Sequence, residues 1–213
     1  MAILLFRTPG KVRALGQALD ALAAEDTRGV SVPFFSPDEV ACLIRQSTRL
    51  PMRKAKPRVG SKGREVHQDF EICFPAPRQD ALADLADLLE TCVAEVEAKA
   101  ASPYLDGTLT LNDLAVQHYP KGSTGIGIHR DALRYRRLVF IITLAGVSRL
   151  YLCADRDGGD AVVLDDSPGM LTVLSAPGFC GREGEDARPL HFVSDITGGR
   201  LSIGLREDSS LAG

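Results

Sequence analysis

The chain has 213 residues, 45% hydrophobic and 25% charged, with a formal net charge of −3. That length buries a substantial core, and that balance gives no general affinity for nucleic acid. The five cysteines contain no C-x-x-C pair, which speaks against a cysteine-zinc site or a disulfide framework and for reduced thiols in a cytoplasmic protein.

At the N-terminus the apolar run Ile3-Leu4-Leu5-Phe6 meets Arg7 at once, too short for a signal core or a membrane span. No membrane and no obligate protein partner is expected. Val12, Leu15, Leu19 and Leu22 then recur at three- and four-residue steps, one face of an amphipathic helix. Ser36-Pro37-Asp38-Glu39 reads as a second helix start, with Ser36 capping and Glu39 closing a capping box. The segment PMRKAKPRVGSKGRE (51–65) is rich in Gly, Pro and cations, and reads as a loop or a strand pair with long connections. Leu82, Leu85, Leu89, Cys92, Val93 and Val96 mark a third helix over roughly 79–100.

From about residue 108 the pattern turns to short β-rich runs: LTLNDLAVQHY, GIGI, RLVFIITLAG, RLYLC, AVVL, GMLTVLSA, PLHFV and RLSIGLR. The fold expected is mainly β (α+β), a double-stranded β-helix or jelly-roll core buttressed by N-terminal helices. Residues 1–213 form one domain in this reading, with 1–107 giving helical support and a basic lid region and 108–207 the core. The turn DRDGGD (155–160) lacks the spacing of a calcium loop and reads as a hairpin connection.

The segment HRDALRYRR (129–137) opens like a protein-kinase catalytic loop. That loop needs an Asn at position 136, which is Arg, and no glycine-rich loop or D-F-G accompanies it. His129 and Asp131 are instead two apart, able to leave one face of a strand and grip one ion. A facial triad takes two His and one carboxylate. Of the other histidines, His67 falls in the basic segment and His118 among apolar residues, while His191 begins a late β run. A surface His–Asp pair beside a core His, or a zinc site, remains open at this point. In RLSIGLR, Leu201, Ile203 and Leu205 take one strand face; Arg200, Ser202, Gly204 and Arg206 take the other, where two buried guanidiniums call for an anion. Gln117 and Tyr119 alternate onto one face of the strand feeding His129.

Together AVQHYPKGSTGIGIHRD, RLVFIITLAG and PLHFVSDITGGRLSIGLR resemble the Fe(II)/2-oxoglutarate-dependent oxygenases, and within them the AlkB-like group. The resemblance covers roughly 108–207. It implies Fe(II) held by His129, Asp131 and His191, with 2-oxoglutarate and O2 as co-substrates. It assigns the 2-oxoglutarate contacts to Arg200, Arg206, Tyr119 and Gln117. The reaction implied is hydroxylation of a C–H bond with release of succinate and CO2; a carboxylate at Asp131 favours hydroxylation over halogenation. The chain departs from the AlkB-like pattern in three places: Gln117 replaces Asn, Ser202 and Gly204 replace Asn and Thr, and only nine positions separate His191 from Arg200. A nucleobase, oxidised or dealkylated, and a small anionic metabolite are the substrates expected. A non-catalytic metal- or ligand-binding jelly roll is the competing class. The cations bear on the substrate. Eight Lys/Arg and no acid lie between Arg45 and Arg64, and Arg130, Arg134, Arg136 and Arg137 follow the first iron ligand.

Overall fold

The computed structural model describes residue 5 and residues 7–211; Ile3, Leu4 and Phe6 of the apolar run lie outside the described residues. The three helices are α1 (Pro9–Ala23), α2 (Pro37–Ser47) and α3 (Asp80–Glu97). Their starts follow local chemistry. Thr8 accepts from the Lys11 amide ahead of α1. Ser36 and Glu39 complete the capping box of α2 in both directions.

Thirteen strands form two antiparallel sheets among the described residues. In chain order they are β1 (Gly29–Pro33), β2 (Arg53–Lys54), β3 (Arg58–Val59), β4 (Val66–Asp69), β5 (Glu71–Cys73), β6 (Asp113–Tyr119), β7 (Gly125–His129), β8 (Tyr135–Gly146), β9 (Arg149–Cys153), β10 (Val162–Leu164), β11 (Met170–Ser175), β12 (Leu190–Ser194) and β13 (Arg200–Asp208). The larger sheet runs β1-β11-β8-β13-β6-β5-β2 and the smaller β10-β9-β12-β7-β4-β3. This is the jelly roll expected, with all eight late β runs present as strands.

Two boundaries differ from expectation. The strands begin well before residue 108, because β1 pairs with β11 and β5 with β6; the basic segment does form two short strands, β2 on β5 and β3 on β4. The run Leu109–Asn112 is not strand, since α3 claims it: Glu90 accepts from the Leu111 amide (2.6 Å), and Arg78 donates to the Leu111 carbonyl (2.8 Å).

The helices cover the outer face of the larger sheet. Leu15, Leu19 and Leu22 of α1 and Leu82, Leu85 and Leu89 of α3 join Val116, Phe140, Ile142, Leu201, Ile203 and Leu205 in one apolar cluster. Each such side chain contributes roughly 1.5–3 kcal/mol by leaving water. Strand alternation then fixes what faces the other way. With Leu201, Ile203 and Leu205 committed to the helices, Arg200, Ser202, Gly204 and Arg206 turn into the space between the sheets. A second cluster (Phe70, Tyr119, Ile126, Leu150, Val193, Ile196) closes part of that space, and the remainder is a cavity of about 690 Å³.

Candidate active site

Antiparallel pairing of β7 with β12 sets His129 directly opposite His191. Their ring centroids lie 4.2 Å apart, the separation of cross-strand neighbours. His129 Nδ1 lies 2.8 Å from the Gly127 carbonyl and His191 Nδ1 3.2 Å from the Pro189 carbonyl. A carbonyl only accepts, so each Nδ1 carries a proton, and Nε2 is the ring nitrogen that a metal would take. Burial, and then the neighbouring His191, lower the His129 pKa to about 4, which keeps that ring neutral.

Asp131 completes the group: one ligand atom from each of the three residues lies within 4.8 Å of the others. It does not get there by strand alternation, because β7 ends at His129. The loop is held from the far side of the site, where Arg188 donates through Nη1 to the Asp131 carbonyl and Arg130 Nε donates to the Arg188 carbonyl (3.0 Å). Burial opposes ionisation of Asp131, yet His191, Arg206 and His129 together hold its pKa below the ordinary carboxylate value. Two imidazoles and a carboxylate, all facing one cavity, fit a divalent first-row metal and the facial arrangement suited to Fe(II). Among the described residues no other trio of His, Cys, Asp or Glu gathers in this way. His67 and His118 are exposed, and His118 faces Glu71 at 3.3 Å.

Arg200, Arg206, Tyr119 and Gln117 all line the cavity. Pairing of β13 with β6 sets Tyr119 opposite Arg200 and Gln117 opposite Ser202. Burial raises the Tyr119 pKa, so its phenol stays protonated. The two arginines already meet protein carboxylates, the pairing with Asp that was the alternative to a bound anion. Arg200, 2% exposed, pairs through Nη1 with Asp166, and Ser148 bonds to both (2.8 Å each). Arg200 Nε is buried with no partner. Arg206 Nε lies 3.0 Å from Asp113 and Nη1 3.8 Å from Asp131, with its guanidinium 4.8 Å from the Tyr135 ring centroid. Burial works against its charge, but Asp131, Tyr135 and Asp113 keep it firmly cationic. Arg206 therefore stands between the Asp113 and Asp131 carboxylates.

The cavity lining carries eight Lys or Arg side chains and one carboxylate, Asp131. Arg130 and Arg134 belong to it, Arg134 with Asp208 at 2.7 Å. Arg136 does not. Tyr135 faces the site, so the next residue on β8 faces away, where Arg136 meets Glu183 (3.0 Å) and Asp106 (3.1 Å). Arg137 likewise pairs with Asp106 and Glu207. Arg188, Asp166 and Ser148 were not visible as site residues in the sequence, since each acts through a neighbour brought close only by the fold.

No protein-family model matches the chain, and no curated protein matches it. Solved structures match in fold. A prolyl-4-hydroxylase from Pseudomonas putida superimposes with a TM-score of 0.61 at 18% identity, covering 91% of this chain and 98% of its own. An oxidoreductase of the 2OG-Fe(II) oxygenase family from Burkholderia pseudomallei gives 0.60 at 14% identity, covering 98% and 96%. OsALKBH1 gives 0.58 at 16% identity, covering 84% and 97%. The chain thus has the jelly-roll fold of 2OG-Fe(II) oxygenases.

Proposed function

We propose that this chain is an Fe(II)- and 2-oxoglutarate-dependent oxygenase that hydroxylates a C–H bond of an anionic substrate, turning 2-oxoglutarate and O2 into succinate and CO2. The observation that carries this reading is the meeting of His129, Asp131 and His191 in one cavity with Arg200. Iron, when bound, supplies the oxidative chemistry. His129 and His191 hold it through Nε2, their rings fixed by the Gly127 and Pro189 carbonyls. Asp131 adds the third ligand and the negative charge, fixed by Arg188 on its backbone and attracted by Arg206 on its side chain.

For the co-substrate, Arg200 lines the cavity with its Nη1 engaged and its Nε without a partner, so the guanidinium keeps donors to offer a carboxylate. Asp166 and Ser148 orient that guanidinium. The Tyr119 phenol and the Gln117 amide stand beside it on β6 with further hydrogen bonds to offer. The apolar side chains of Ile126, Leu150 and Val193 keep water scarce around these groups. Oxidation or dealkylation of a nucleobase, the AlkB-like reading, and hydroxylation of a small anionic metabolite both draw on the cations at the cavity mouth. Five cysteines free of disulfides fit a reducing compartment such as the cytoplasm.

The test is succinate formation from 2-oxoglutarate by the purified protein with Fe(II) and O2. His129→Ala and Asp131→Ala abolish it on this reading. Full activity in either variant overturns the assignment.

A further inference from the structure

The cations at the cavity mouth are only partly neutralised by the protein. Arg53, Lys56 and Arg156 line the cavity, are exposed, and have no carboxylate partner among the described residues. Arg64 and Arg130 share one carboxylate, Glu185, at 3.3 and 3.6 Å. Lys54, Arg58 and Lys62, exposed and equally without a carboxylate among the described residues, add positive charge along the same segment outside the cavity lining. Strand geometry spaces residues by about 3.3 Å, so Arg53 to Arg58 extends well past the footprint of a small metabolite. The surface fits an extended polyanion.

Two features select the polymer. A base lifted into the cavity needs aromatic faces to stack against, and the lining aromatics are mostly engaged. Phe70 packs Tyr119 with centroids 4.8 Å apart, and Tyr135 carries the guanidiniums of Arg134 and Arg206, each at 4.8 Å. Phe74 alone is left. The second feature is a free strand edge. β2 is the last strand of the larger sheet. Residues 53–57 run beside β5 and the end of β4, with the Ala55 amide donating inward to the Phe70 carbonyl (2.9 Å). Backbone groups alternate along an antiparallel strand, so the amides of Lys54 and Lys56 point to the unpaired side. Nucleic acid can use only the amides of such an edge, through its phosphates, whereas an extended polypeptide pairs with both its amides and its carbonyls.

Resting on the oxygenase reading above, we infer that the substrate is an acidic polypeptide segment. It adds to the edge at Arg53–Lys56, sets its carboxylates on Arg53, Lys56 and Arg156, and delivers one residue to the site. The experiment measures binding to the metal-free protein by anisotropy, so it stands apart from any failure of the succinate assay. The probes are a labelled oligoglutamate peptide, labelled oligothymidylate, and citrate as competitor. Oligoglutamate is expected to bind, weakening with salt. The double variant Arg53→Glu/Lys56→Glu should bind roughly tenfold or more weakly, with an unchanged melting temperature. Lys54→Pro, which removes one outward amide, should weaken binding beyond Lys54→Gln. Oligothymidylate binding as tightly as oligoglutamate overturns the inference in favour of nucleic acid. Citrate displacing the peptide at equal molarity overturns it in favour of a small anion. No peptide binding, or binding indifferent to the Arg53/Lys56 reversal, overturns it as well.

Discussion

Replacing Asp166 by Ala isolates the Arg200 cluster. Both side chains are out of water, Arg200 at 1% and Asp166 at 7% exposure, and among the described residues Ser148 is the one other group bonded to the pair. Without Asp166 the guanidinium is a buried cation whose Nε was already unpartnered. Removing one member of a buried pair costs about 3–5 kcal/mol, whereas replacing both by apolar groups is often nearly neutral. For a chain of this size each kcal/mol moves the melting temperature by about 2–4 °C, so Asp166→Ala should melt about 6–20 °C below wild type. Asp166→Ala/Arg200→Met should recover most of that loss. Calorimetry with and without succinate adds a second readout: a dicarboxylate replaces the missing charge, so it should raise the melting temperature of Asp166→Ala more than that of wild type. If the double variant is as unstable as the single one, or if succinate protects both equally, the argument from an orphaned buried cation is wrong.

Three further outcomes follow from the same reasoning. Gly125 has φ +84°, and a Cβ there would sit 1.9 Å from the Val193 carbonyl oxygen. Gly125→Ala should cost at least about 2 kcal/mol and loosen the β7–β12 pairing that aligns the histidines, measured by denaturant unfolding and by Fe(II) retention. Arg188→Gln frees the Asp131 loop and should weaken Fe(II) binding roughly 10–100-fold, with Arg188→Lys in between; equilibrium dialysis of all three proteins checks it. Glu39 is held below its ordinary 4.5: burial opposes its charge, but Lys11 and the Ser36 amide outweigh that. A depressed carboxyl stabilises the fold above its unfolded pKa and loses that contribution as pH falls through the folded one. The stability gap between wild type and Glu39→Gln, about 1–2 kcal/mol at neutral pH, should therefore close as pH drops below about 4.5, followed by urea unfolding across pH.

What the sequence revealed was set by short-range physics. The capping box at Ser36, the period of α1 and α3 and the alternation in RLSIGLR are all local, and each appears as expected. The histidine pair was legible because a jelly roll returns a late strand beside an early one. The basic segment was harder. Its two-residue strands take their conformation from β4 and β5, which no window of Lys, Gly and Pro encodes. The partners of the arginines were hidden for a similar reason: Asp166 lies 34 residues from Arg200 in sequence, in a stretch that reads only as a turn. Arg136 misled because charge clusters carry no face; only the inward Tyr135 beside it fixes which way Arg136 points.

The central claim is one site that assembles a metal and a dicarboxylate together. Anaerobic equilibrium dialysis of labelled 2-oxoglutarate against the Fe(II)-loaded protein tests it most directly. One molecule per chain should bind, with affinity falling sharply without metal, in His191→Ala and in Arg200→Met. Binding that survives unchanged in either variant would contradict the account.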